Sequence, residues 1–160
     1  MTPADIISAA KAQNVVIATA ESCTGGMVSA ALTDIAGSSA VFDRGFVTYS
    51  NAAKQDMLGV DRATLSAFGA VSIEVAVEMA LGAIANSNAQ MAVSVTGIAG
   101  PGGSEHKPEG RVCFAIAMQG QTASEIVEFG PIGRANVRAA AREHALSLIA
   151  IALKDNLPKA

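Results

Sequence analysis

Tryptophan is absent from this chain of 160 residues, tyrosine occurs once, and aromatic residues make up only 4%. A core without large rings has to be close-packed from Ala, Val, Ile and Leu, and small side chains let helices lie near a sheet. Charge is also scarce, at 16% of residues against 51% hydrophobic, and the net charge is −3 with a pI near 5.3. No Lys/Arg cluster or set of base-stacking aromatics stands out, so no nucleic-acid partner is expected, and a small phosphorylated ligand remains open. The two cysteines, Cys23 and Cys113, and the two histidines, His106 and His144, lack any zinc spacing. Free thiols and no metal are expected. No apolar run nears the ~18 residues of a membrane span. The start, Met1-Thr2-Pro3-Ala4-Asp5-Ile6, reads as a helix cap with Pro in the first turn and not as a signal peptide. A cytoplasmic protein with no membrane partner follows as the expectation. With no Pro/Ser-rich or charged linker, residues 1–160 read as one domain.

Helical spacing over 3–13 gives way to a short buried strand, Val15 to Thr19, then to a helix over 26–36 that stops at Gly37. Arg44 to Ser50 alternates like a strand, and Ser50 or Asn51 can cap a helix that ends before Gly59. A short helix from Asp61 to Ala67 leads to Ser72, which caps a longer one over Ile73 to about Ala85. Met91 to Thr96, Arg111 to Met118 and Thr122 to Phe129 read as strands, the last two joined by a hairpin around Gly120. A closing helix runs from Arg134 to about Leu157. Helices alternating with buried strands, plus one hairpin, predict an α/β fold, a three-layer α/β/α sandwich with a mixed, mostly parallel sheet.

Ala20-Glu21-Ser22-Cys23-Thr24-Gly25-Gly26 puts three potential nucleophiles against two glycines where a strand becomes a helix. Such a turn exposes a hydroxyl or thiol while glycine amides and the helix N-terminus face an oxyanion or a phosphate; the bland alternative is a Ser/Thr cap followed by flexible glycines. Glu21 is either a helix-start carboxylate or a substrate-orienting acceptor. Cys23 is intrinsically the better nucleophile, but neighbouring side chains on a tight turn point in different directions and a thiol is easily buried, so Ser22 is favoured. The stretch from Gly97 to Gly110 is long for a loop and reads either as an anion cradle, with Lys107 and Arg111 supplying charge, or as a solvated loop. Tyr49, Ser50 and Lys54 converge at one helix start, whose dipole pushes Lys54 toward the neutral form that a general base requires. An ordinary exposed lysine is the alternative. His106 reads as solvated and His144 as structural.

Four segments taken in order resemble the CinA C-terminal domain family: Thr19 to Gly26, Gly45 to Asn51 with Lys54, Gly69-Ala70-Val71-Ser72, and Thr96 to Pro101 with Lys107-Pro108. That family contains the nicotinamide-nucleotide amidohydrolases. The resemblance implies conversion of nicotinamide mononucleotide to nicotinate mononucleotide and ammonia, a step in recycling pyridine nucleotides, without metal or cofactor. Ser22 would be the nucleophile, Lys54 its base, and Tyr49 would relay or orient the proton. Amides of Thr24, Gly25 and Gly26 would meet the oxyanion, with Glu21 beside them. Thr96, Gly97, Gly100, Gly102, Lys107 and Arg134 would contact the rest of the nucleotide, and a homo-oligomer is open. Two departures flank the phosphate end: Ile132-Gly133-Arg134 replaces the family's Gly-Asp-Arg, and Arg111 stands where a small hydroxyl residue is usual. A non-catalytic nucleotide-binding or regulatory module, as in the competence and damage-inducible members, is the alternative, and a hydrolase of another amide a third.

Overall fold

Alternation along the central strands puts bulky side chains on one face of the sheet and small ones on the other. The computed structural model describes residues 1–104, 106–155 and 157. Glu105 of the glycine-rich loop and Asn156, within the expected reach of the last helix, lie outside the described residues. Among those described, five strands form one sheet: β1 (Ile17–Glu21), β2 (Phe42–Val47), β3 (Met91–Gly97), β4 (Arg111–Met118) and β5 (Gln121–Glu128). Their order is β2-β1-β3-β4-β5. β1 pairs parallel with both β2 and β3, and β4 pairs antiparallel with both β3 and β5. Only β4 runs against the other strands, which is the mixed, mostly parallel sheet that the helix-strand alternation implied.

Helices α1 (Pro3–Gln13), α2 (Met27–Thr33) and α6 (Arg134–Asp155) cover the bulky face, where Ile17, Val93, Val95, Phe114 and Ile116 are buried. Helices α3 (Asn51–Leu58), α4 (Arg62–Phe68) and α5 (Ile73–Ala85) cover the other. That face carries Ala18, Ala20 and Ala92 near the middle and Cys113, Ala115 and Ala117 on β4. With so little side chain between them, α5 lies against the strands closely enough for Ser94 Oγ to donate to the Ala76 carbonyl at 2.5 Å. Thr96 Oγ1 donates to the Ala70 carbonyl at 2.8 Å, holding the segment that leads into α5.

Local signals account for most helix starts. Thr2 and Asp5 form a reciprocal capping box on α1, and Ser50, Asp61 and Ser72 cap α3, α4 and α5. Three expected elements shift: β1 runs Ile17–Glu21 where Val15 to Thr19 was expected, because its pairing with β3 starts at Ile17, and α2 and β2 move as well. α2 stops at Thr33, and a single 3₁₀ turn at Ser38–Ala40 leads into β2. β2 begins at Phe42 and ends at Val47, so Thr48 and Tyr49 lie beyond it. β2 is an edge strand bonded only to β1, so pairing with β1, and not alternation, sets its limits.

α3 and α5 meet at Gly82, where an added Cβ would overlap the carbonyl of Leu58 at the end of α3. Gly82→Ala should therefore destabilise the protein by about 1–3 kcal/mol, overpacking outweighing the ~1 kcal/mol of improved helix propensity. Urea unfolding would check this, and a more stable variant would show that α3 and α5 have slack between them.

Candidate active site

β2, β1 and β3 run in the same direction, so the segments leaving their carboxyl ends gather at one edge of the sheet, where open α/β sheets hold ligands. A cleft of about 310 Å³ opens there, lined by Ser22, Cys23, Tyr49, Asn51, Lys54, Thr96, Arg134 and the loop from Gly97 to Ser104.

Lys54 comes from the first turns of α3, whose start is fixed by the Ala53 N–H donating to Ser50 Oγ at 3.0 Å. Its side chain is 1% exposed. Nζ donates to Ser22 Oγ at 3.1 Å and to the Thr48 carbonyl at 2.9 Å. No carboxylate pairs with it among the described residues. Burial holds its pKa below the ordinary lysine value, because the ammonium form gives up hydration that no counter-charge replaces. An amine shifted toward neutrality, within hydrogen-bond reach of a hydroxyl, can act as its base.

The turn after β1 separates its three nucleophile candidates. Ser22 lines the cleft beside Lys54, and its N–H donates to the Val95 carbonyl at 2.9 Å. Cys23 also lines the cleft and is as buried as Ser22, but desolvation pushes its thiol up to about 12, far from the thiolate that attacks. Thr24 is fully buried and donates its hydroxyl to Glu21 Oε1 at 2.7 Å.

Glu21 does not reach the cleft. It is fully buried on the α2 side of β1, where it accepts from Thr24 Oγ1, the Val28 and Ser29 N–H groups and Ser29 Oγ, all at 2.7–3.0 Å. Of the two alternatives for this carboxylate, the helix-start one holds. The amides at the start of α2 are thus satisfied by the chain's own anion. Gly25 and Gly26 take positive φ at the turn and do not line the cleft, and the Gly25 N–H is taken by the Ser22 carbonyl.

Among the residues expected to contact the nucleotide, Thr96, Gly97, Gly100, Gly102 and Arg134 border the cleft. Lys107 does not. Its ammonium donates to the Phe68 and Val71 carbonyls at 2.5 and 2.6 Å, where it ties the glycine-rich loop to the segment between α4 and α5. Arg111 pairs with Glu128 at 2.7 Å on the sheet edge, outside the cleft. Tyr49 lies on the rim, 62% exposed, and its hydroxyl accepts from Arg134 Nη2 at 2.9 Å. Among the described residues its hydroxyl bonds to Arg134 and not to Ser22 or Lys54, although Tyr49, Ser22 and Lys54 all line the cleft. Arg134 Nη1 also donates to the Gly100 carbonyl at 2.8 Å, so this guanidinium joins the rim to the loop. His144 contacts Glu125 and stacks near Phe114, the structural role expected of it, and His106 is exposed and outside the cleft.

Two contributors have no separate signal in the sequence. The Thr48 carbonyl anchors Nζ, and Arg138 on α6 donates to the Cys23 and Thr24 carbonyls. Among the described residues no group of three or more His, Cys, Asp and Glu side chains could hold a metal, and no helix is long and apolar enough to cross a membrane.

Comparison with known proteins converges on one family. The model of the CinA C-terminal domain matches residues 2–153. The nicotinamide-nucleotide amidohydrolase PncC of Enterobacter agglomerans is 59% identical over 114 residues, 71% of this chain and 70% of that protein. A CinA-like protein of Chlorobium limicola is 54% identical over 124 residues, 77% of this chain but 29% of that protein. The crystal structure of the competence/damage inducible protein CihA from Agrobacterium tumefaciens has a TM-score of 0.86 at 49% identity, covering 97% of this chain and 99% of that one. Matched along nearly its whole length by that domain's family model, the chain belongs to the CinA C-terminal domain family.

Proposed function

We propose that the chain hydrolyses the carboxamide of nicotinamide mononucleotide to nicotinate mononucleotide and ammonia, with Ser22 as nucleophile and Lys54 as its base. The observation that carries this reading is the 3.1 Å contact between a buried lysine amine and the Ser22 hydroxyl in a cleft that opens to solvent. The amidohydrolase name of a relative at 59% identity supplies the substrate class.

In this reading Ser22 Oγ attacks the carboxamide carbon as its proton passes to Lys54 Nζ, and the carbonyl oxygen takes the negative charge. Collapse of the tetrahedral adduct breaks the C–N bond, and the nitrogen leaves as ammonia with the proton from Nζ. Water, losing a proton to Nζ, then attacks the acyl-serine ester; the carboxylate product departs and Ser22 regains its hydrogen. The hydrogen bond to the Thr48 carbonyl keeps Nζ in place through both halves. With the Gly25 N–H already taken and Thr24 fully buried, the N–H of Cys23, which lines the cleft directly after Ser22, is the donor suited to the oxyanion. Arg134 and the amides of the loop around Gly100 and Gly102 suit the phosphate, and Tyr49 steadies Arg134. A volume near 310 Å³ is at the small end of ligand sites and suits a mononucleotide.

A second reading, a nucleotide-binding or regulatory module, is favoured by the CinA-like relative in which the matched stretch is only 29% of the protein. The two readings part on turnover: a module would bind the nucleotide and leave the amide intact.

The purified protein should release ammonia from nicotinamide mononucleotide and act far more slowly on nicotinamide riboside, since Arg134 would then face no phosphate. Equal rates on both would remove the phosphate role from this rim. The acid limb of kcat/KM should rise with pH through a Lys54 pKa below the usual lysine value, because the protonated amine cannot accept the Ser22 proton. Lys54→Met should cost on the order of 10²-fold or more in kcat and abolish that limb. Retention of both in the variant would assign the base elsewhere. Ser22→Ala should lose nearly all turnover yet still bind nucleotide, while Cys23→Ala and thiol alkylation of the parent should leave most activity; the reverse pattern would make the site a cysteine amidase.

A further inference from the structure

Arg138 lies one turn after Arg134 on α6 and reaches the turn that carries Ser22. Its Nε donates to the Cys23 carbonyl at 3.0 Å and its Nη2 to the Thr24 carbonyl at 3.4 Å, contacts between residues 115 and 114 positions apart. A Cβ at Gly25 would meet Nη2 at 3.4 Å, so the guanidinium lies directly against the glycine backbone. Gly25 and Gly26 both have positive φ and no side chain to brace them, and such a turn has many conformations open to it unless something outside it holds its peptides.

The two carbonyls that Arg138 holds belong to the residues directly after Ser22, so the guanidinium fixes the backbone from which the Ser22 side chain enters the cleft. We infer that Arg138 is a positioning residue for amide hydrolysis: its planar guanidinium holds both carbonyls of the Ser22 turn and so fixes the backbone that presents the Ser22 hydroxyl to the carboxamide and to Lys54. The inference rests on the serine amidohydrolase reading above. A nucleophile held in its attacking geometry lowers the barrier without changing how the substrate is held, so loss of the brace falls on kcat and not on KM. Lysine keeps the charge but lacks the rigid fork that spans two carbonyls.

The test uses Arg138→Met and Arg138→Lys, with three measurements on each: ammonia release from nicotinamide mononucleotide, the thermal unfolding midpoint, and the rate at which a fluorophosphonate phosphonylates Ser22. Each folded variant should lose roughly 10- to 100-fold in kcat with KM within about threefold of the parent, and Ser22 phosphonylation should slow in step. Should Arg138→Met fail to fold, Arg138→Lys decides. A kcat within about threefold of the parent in a folded variant, or a loss confined to KM, would overturn the inference. If the parent releases no ammonia yet is phosphonylated at Ser22, the amidohydrolase reading fails and the phosphonylation rates alone judge Arg138. If the parent does neither, both fall together.

Discussion

A lysine amine stripped of water, with no carboxylate beside it, is held against the Ser22 hydroxyl, and the surrounding layers are what hold it there. Lys54 reaches Ser22 only because α3 sits at the right height over the end of β1. That height is set by the contact of α3 with α5 at Gly82, and the position of α5 by the alanines on the sheet beneath it. The scarcity of large side chains is thus a geometric requirement of the cleft as well as a packing style. Isolating the amine costs stability, since a buried cation without a partner is unfavourable. The same cost moves its proton affinity toward the range in which it can serve a hydroxyl.

Charge is distributed around this amine with little overlap. Glu21, one residue before Ser22, is the nearby anion, and four donors from Thr24, Val28 and Ser29 neutralise it on the far side of β1. The Val28 and Ser29 amides at the start of α2 are therefore already taken by this carboxylate. The two glycine-bearing segments divide the work: the first shapes the turn under Ser22, and the second, from Gly97, borders the open cleft with Arg134.

Element types and helix starts were legible because they depend on neighbours in sequence: Thr2, Ser50, Asp61 and Ser72 each cap the helix that follows. Ser22, Lys54 and Arg134 were legible as a motif set, and the fold brings them to one cleft. What sequence could not decide is where a long side chain ends. Lys107 lies in a loop that looks like an anion cradle, but the carbonyls of Phe68 and Val71 capture it. Glu21 had two local readings, and only the donors of α2 choose between them. Tyr49 stands beside the Ser50 cap in sequence, yet its hydroxyl meets Arg134, 85 positions away. Arg138 gave no signal, because an arginine inside an amphipathic helix looks like any solvated one.

The bond from Arg138 to the Cys23 carbonyl closes most of the chain into a ring, since its ends are 115 positions apart. Contacts of such long range are entropically costly to form early in folding. During synthesis the segment carrying Ser22 emerges well before α6 exists to brace it. A nascent chain that already holds Ser22 and Lys54 therefore lacks Arg134 and Arg138, and the cleft is without that wall and that brace until α6 docks.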